Sequence, residues 1–376
     1  MPRSSGSTRF RSRTTGGRTA RARRSPGRTG SRRSRSSSLF AFVAEPLAQA
    51  SLAPARERAS HRYALVGAGL CLSALLTWLA IRSVDPHAFL VAFRQSDWWY
   101  LLPSGAALAA AVVTRWLRWW LLFAPGRRPP LRTVGRAFLI GHLLNNLLPA
   151  RPGELARAVA VRREAGTPVV EALATTAAER LYDVLALAVL LLASAPFLSE
   201  SREVRTAAIA AGAVTAAALA AAFLFGRDGV RLERLLSRVP GLSATTARQC
   251  GASIRHGLVS LRDRRLAASA ALLTATSWLL LALSAWALLP AFHLRLGFGV
   301  AVLVVAAANL TLLVPAAPGG VGVFEAATVG VLAGFSVDRS AALSYAVALH
   351  GLNLFPYVVA GAIALQRHLS VVRDRA

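Results

Sequence analysis

The stretch His142–Arg157, HLLNNLLPARPGELAR, interrupts an apolar region with polar and charged groups where lipid is expected. Arg136 and Arg151 bracket fourteen uncharged residues. At about 1.5 Å per residue a helix of that length reaches roughly 21 Å, short of the ~30 Å hydrocarbon core. The spacing predicts a helix that dips into the membrane without crossing it. His142, Asn145 and Asn146 fall at i, i+3 and i+4 on one helical face, and Pro149 with Pro152-Gly153 then removes donors and breaks the helix. Backbone groups freed at membrane depth are tolerated only inside protein or beside water. Pro152 suits the first position of a new helix, which puts Glu154 in its positive first turn and Arg157 one turn along, a geometry for a charged ligand. The same residues also fit a plain interhelical loop, with the asparagines as caps and Glu154 paired to Arg157 or Arg151.

A second copy shifts the balance toward a site. Phe298–Val314 is apolar and is then interrupted by PAAPGGVGVFEAA, so that PAAPGG at 315–320 answers PARPGE at 149–154, 166 residues earlier. Asn309 precedes the second break as Asn145 and Asn146 precede the first. Broken helices at corresponding places in two halves are the sequence pointer to a transporter site. Gly319, Gly320 and Gly322 allow close backbone approach and positive φ, which suits a ligand cradle and equally suits tight helix packing. Glu325 has no cation near it in sequence, so it is expected to meet Arg157 or Arg180 from the other half, or to stay protonated. His350, inside the last apolar run, reads as a hydrogen-bonded core histidine before a ligand or proton site, and with His142 it makes no metal-ligand spacing.

Composition sets the class. The 376 residues are 55% hydrophobic and carry several uncharged runs longer than eighteen residues, so the chain is expected to be an all-α polytopic membrane protein. The net charge of +27 comes from arginine, since there is no lysine, and Cys71 and Cys250 have neither partner spacing nor a metal-like cluster. Residues 1–36 hold twelve arginines with no acid before Glu45, and residues 1–60 read as a disordered cytoplasmic tail suited to anionic head groups or to a topology signal. Residues 61–367 form the transmembrane domain, and 368–376 a cytoplasmic tail. Placing arginine-rich segments inside gives about six full spans plus two re-entrant hairpins in an inverted repeat, with Gly166 inside and Ala195 outside. Asp85–Asp97 is expected as an amphipathic connector, Arg115, Arg118, Trp116, Trp119 and Trp120 as an interfacial belt, and Gly226–Arg265 as a basic helix pair on the inner leaflet. The helix after Thr167-Pro168 carries Glu179, Arg180 and Asp183. Ionisable groups in a spanning helix cost about 2.5–3.5 kcal/mol each, so they face a cavity or one another, and Arg180 is the near neutraliser of Asp183.

At these residues the sequence resembles the transmembrane region of lysylphosphatidylglycerol synthases, a flippase-like family of integral membrane proteins. The resemblance covers most of residues 60–366. It rests on Arg115 with Arg118-Trp119, on Asn146 through PARPGE with Arg157, on Glu179-Arg180 with Asp183, and on PGGVGVFE with Glu325. It implies movement of an aminoacylated, otherwise anionic or polyprenyl-linked lipid between leaflets of a bacterial cell membrane. In synthases of the family an aminoacyl-transferase domain follows the membrane part; here the chain stops at Ala376, so aminoacyl transfer is not expected. His350 stands where the family pattern has an arginine.

The leading expectation is a lipid flippase whose head-group site comprises His142, Asn145, Asn146, Arg151, Glu154, Arg157, Glu179, Arg180, Asp183, Gly319, Gly320 and Glu325. No cofactor, metal or specific nucleic acid is expected. Partners would be anionic phospholipid or lipid-linked glycan, with a cytoplasmic synthase or glycosyltransferase. The rival is a membrane-embedded transferase or hydrolase using Glu154, Glu179 and Asp183 as acid or base groups, although no nucleophile with its base or nucleotide loop accompanies them. A scaffold for a cytoplasmic lipid-modifying enzyme is the third reading.

Overall fold

Every regular element among the described residues of the computed structural model is helical. Helices satisfy their backbone groups internally, which lipid demands. The structure describes residues 84–148, 152–194, 244–310 and 317–373, with 71, 73–75, 77, 78, 82 and 217. The arginine-rich segment 1–60, most of residues 63–81, where the apolar run predicts the first span, Arg151, Ala195 and all but residue 217 of a further span expected over 206–225 lie outside the described residues.

Asp85 opens α1 (Pro86–Arg94) by accepting from His87 N at 2.9 Å, and a single turn at Trp98–Tyr100 leads into α2 (Leu101–Leu122). The connector expected over 85–97 is therefore a short helix. Next come α3 (Leu131–Leu147), α4 (Gly153–Ala165) and α5 (Val169–Ser194). Gly166, at φ 72°, closes α4 in the left-handed conformation. Beyond the next undescribed stretch lie α6 (Ala244–Gly257), α7 (Arg264–Leu288), α8 (Phe298–Leu310), α9 (Val323–Ala333) and α10 (Arg339–Arg373).

Three of the described helical stretches are long and apolar enough to cross a membrane: Trp98–Leu122, Arg264–Phe292 and Arg339–Val371. The chain is an all-α membrane protein. α5 is long enough, at 26 residues, but its first fifteen residues carry Glu171, Glu179, Arg180 and Asp183. α2 and α7 pack through small residues, and Ser104 Oγ donates to the Ser284 carbonyl at 2.7 Å between them.

α10 is the spine against which both broken pairs are measured. Near its start Tyr345 donates to the Ala285 carbonyl at 2.8 Å and meets the Phe292 ring, and α9 ends just before it. Near its end His368 Nδ1 lies 2.5 Å from Glu164 Oε1, and Glu164 also accepts from Thr133 and Arg136 at the start of α3. Between these ends His142 stacks on Tyr357, with centroids 4.6 Å apart. Helices α3 and α4 thus begin and end beside the C-terminal part of α10, whereas α9 ends, and α8 follows α7, beside its N-terminal part.

Candidate functional site

The acidic groups of α5 recur at i and i+4, so Glu179 and Asp183 present four oxygens on one face. Arg118, fully buried on α2, donates to Asp183 Oδ1 at 2.7 Å, to Glu179 Oε1 at 3.0 Å and to Thr274 Oγ1 on α7 at 3.0 Å. Trp278 Nε1 adds a bond to Asp183 at 3.3 Å. Arg157 takes the other Glu179 oxygen at 2.6 Å while its guanidinium lies 4.5 Å from the Trp119 ring centroid. Trp119 is itself held by a 3.2 Å bond to Thr175 Oγ1. The interfacial reading of Arg118 and Trp119 is corrected here, because both have no exposed surface. Sequence reasoning missed Arg118 since it lies 61 and 65 positions from its carboxylates, and a basic residue near a helix end looks the same whether it faces water or turns inward.

Arg180 is also placed differently from expectation. Its Nη2 and Nε reach Glu154 Oε1 at 2.6 and 2.9 Å, while Asp183 is 3.8 Å away. Glu154 therefore pairs across helices with Arg180 and not with Arg157. This pair is open, with side chains 52% and 40% exposed.

The first broken pair closes on glycine. A Cβ on Gly153 would stand 1.9 Å from the Gly141 carbonyl, and Asn145 Oδ1 accepts from Gly153 N at 2.8 Å. Asn145 thus satisfies a donor at the start of α4 that has no intrahelical partner. α4 starts one residue later than expected, with Pro152 as its cap.

In the second half a short turn at Pro318–Gly320 precedes α9, and Gly319, Gly320 and Gly322 have φ of 71°, 76° and 84°. Ser73 Oγ accepts from Ala317 N at 2.7 Å, so the first expected span braces this break. Glu325 Oε2 accepts from Gly322 N at 2.7 Å, and its Oε1 lies 2.6 Å from His350 Nδ1. The expected meeting of Glu325 with Arg157 or Arg180 is not what forms; its partner is His350. Arg157, Glu179 and Arg180 do gather, without Glu325.

The two breaks meet, since a Cβ on Gly319 would lie 3.5 Å from the Asn146 carbonyl. Around their junction is a cavity of about 340 Å³. His142, Asn145 and Asn146 line it from the first break, Gly319 and Gly320 from the second, and Glu154, Arg180 and Asp183 from α4 and α5. Arg115, Tyr357, Asn353 and His350 join them, while Arg157, Glu179 and Glu325 stand outside the lining. Pro356 in α10, beside Asn353 and Tyr357, removes a helical hydrogen bond at this level. The arrangement suits an anionic group with an apolar body, because Arg115 and Arg180 face a space otherwise walled by residues such as Leu187, Leu281 and Val304.

Comparison with curated proteins gives no match. A family model described as the lysylphosphatidylglycerol synthase TM region matches residues 66–361. With the paired breaks and the buried arginine–carboxylate network falling inside that range, the chain belongs to the lysylphosphatidylglycerol synthase transmembrane-region family.

Proposed function

We propose that this membrane protein is a lipid flippase that moves an anionic, aminoacylated or polyprenyl-linked lipid between leaflets, its head group passing through the cavity where the two breaks meet. The observation that carries the reading is the exposed Arg180–Glu154 pair in the wall of that cavity. A phosphate offers the geometry of a carboxylate with more charge, so an entering head group can displace Glu154 from Arg180 and be released when Glu154 returns. Arg115, 5.5 Å from the Trp278 ring centroid, supplies a second cation on the opposite helix. Glu179 and Asp183 are already engaged by Arg118, which weighs against the acid–base roles of an enzymatic reading.

The course of the broken pairs along α10 supports re-entrant hairpins entering from opposite faces, in an inverted repeat. Both termini would lie in the cytoplasm of a bacterial cell, with a synthase or glycosyltransferase supplying the lipid. Proteoliposomes carrying labelled candidate lipids, read by leaflet accessibility, test the proposal. The parental protein should move at least one anionic or lipid-linked class, and Arg180→Gln should slow it by about tenfold, the worth of one charge-assisted contact. Unchanged transport in a folded Arg180→Gln protein would remove the site from this cavity.

A further inference from the structure

His350 lines the cavity with both ring nitrogens against oxygen. Nδ1 lies 2.6 Å from Glu325 Oε1, Nε2 lies 3.0 Å from the Gly319 carbonyl, and the ring stacks on Phe324 with centroids 4.4 Å apart. A carbonyl oxygen only accepts, so the Nε2 contact requires a proton on Nε2. The Nδ1 contact requires one more proton, carried either by Nδ1 of an imidazolium facing a carboxylate or by Oε1 of a carboxylic acid facing a neutral imidazole. In both descriptions the pair holds that proton and is neutral overall. Its release leaves two lone pairs facing each other and a net charge of −1, on side chains only 9% and 13% exposed.

We propose that the His350–Glu325 pair is a proton-binding site whose occupancy holds the second break in the form seen here, and that lipid passage is thereby coupled to proton movement. The coupling, though not the proton site, rests on the flippase reading. His350 ties α10 to the Gly319 carbonyl within the turn, and Glu325 ties α9 to the Gly322 amide just after it. One proton therefore joins α9 and α10 to each other across the turn and the residues that follow it. Repulsion between the facing lone pairs of the deprotonated pair drives one side chain away and breaks its tie, and three glycines at positive φ within four residues give the segment the freedom to take up another arrangement.

The other charged and titratable groups facing the cavity from elements packed on α10 are already occupied. Glu154 and Arg180 hold each other, and Asp183 is held by Arg118. His142 Nδ1 is 2.9 Å from the Phe138 carbonyl, and Arg115 approaches Tyr357 and Trp278. α7 and α8 give the cavity neutral Trp278 and Asn309, and α1 gives it nothing among the described residues.

Amide hydrogen exchange of residues 317–325 in lipid nanodiscs tests the site directly. From about pH 5.5 to 8.5 the protection factor of the parent should fall about tenfold or more as the pair opens. It should stay level in His350→Arg, which keeps a cation on Glu325 without giving up a proton there. Glu325→Gln, which keeps an oxygen for the Gly322 amide and cannot ionise, supplies the same comparison if the arginine variant does not fold. A pH-independent parent, or variants that titrate as the parent does, would overturn the proton site. In proteoliposomes a pH gradient of about one unit should change the parental translocation rate about fivefold and leave the variants unmoved. A parental rate indifferent to the gradient overturns the coupling, whereas titrating exchange with no candidate lipid moved supports the proton site and overturns the flippase reading.

Discussion

Arg118 spends its donors on two carboxylates and a hydroxyl with no exposed surface, while Arg180 keeps half its side chain open and shares one carboxylate. Removing one partner of a buried network leaves uncompensated charge, so Arg118→Met should lower stability by about 3–5 kcal/mol. An exposed pair is worth far less, and Arg180→Gln should stay within about 1 kcal/mol of the parent. Thermal unfolding in one detergent, with both variants side by side, reads the difference, and equal losses would erase the distinction. Arg157 belongs with Arg118 in this respect, although its place one turn into α4 reads from the sequence as that of a ligand-binding cation. The sequence places it on the right helix; what it cannot display is Trp119 and Glu179 closing over the guanidinium, since those contacts are long-range.

Both breaks are legible as elements, because proline and glycine mark a helix interruption through local backbone chemistry alone. Their closure is not, since Gly141 sits in an unbroken helical run and only the fold reveals that Gly153 needs its carbonyl within reach. Gly153→Ala should drive a methyl into backbone, and a loss of about 1–3 kcal/mol or more is expected from such overpacking. Gly330 in α9 provides the opposite case: nothing stands within 4 Å of a Cβ there, and its φ is ordinary. Gly330→Ala should be neutral or gain up to about 1 kcal/mol from helix propensity. Unfolding midpoints of the two variants carry the comparison, and a harmless Gly153→Ala would mean that α3 and α4 do not approach as closely as described. The three polar residues of the first face, His142, Asn145 and Asn146, and Glu154 in the first turn after the break reach the cavity from the pattern the sequence presents. Arg115 and His350 reach it too, and both were visible only as residues of uncertain role, because an arginine in an aromatic belt and a histidine in an apolar span have ordinary structural uses.

At the scale of the whole molecule, the cluster on Glu164 fastens the end of the first broken pair farthest from its break to the end of α10. Burial alone would raise this carboxyl, but hydrogen bonds from His368, Arg136 and Thr133 outweigh it and push it down to about 2. A folded value below the unfolded one stabilises the protein above the unfolded value, near 4.5, and that contribution is lost as pH falls from there toward about 2. Glu164→Gln cannot titrate, so its unfolding midpoint should fall less than the parent's between about pH 5 and 3; parallel curves would exclude the cluster from acid sensitivity. The same cluster fixes the topology test. Glu164 lies beside His368 near one end of α10, and α9 finishes beside the other end. Tyr345 and His368 are 23 positions apart, which at about 1.5 Å per residue is roughly 35 Å, enough to separate the two faces of a ~30 Å hydrocarbon core. Single cysteines at Ala165 and Ala333, both exposed, should therefore label from opposite sides in a chain whose Cys71 and Cys250 are replaced by alanine. The arginine distribution assigns Ala165 to the cytoplasm. Labelling of both from the cytoplasm would leave α10 unable to span with its neighbours as they pack, and the inverted arrangement, with the alternating exposure of the cavity it implies, would fall with it.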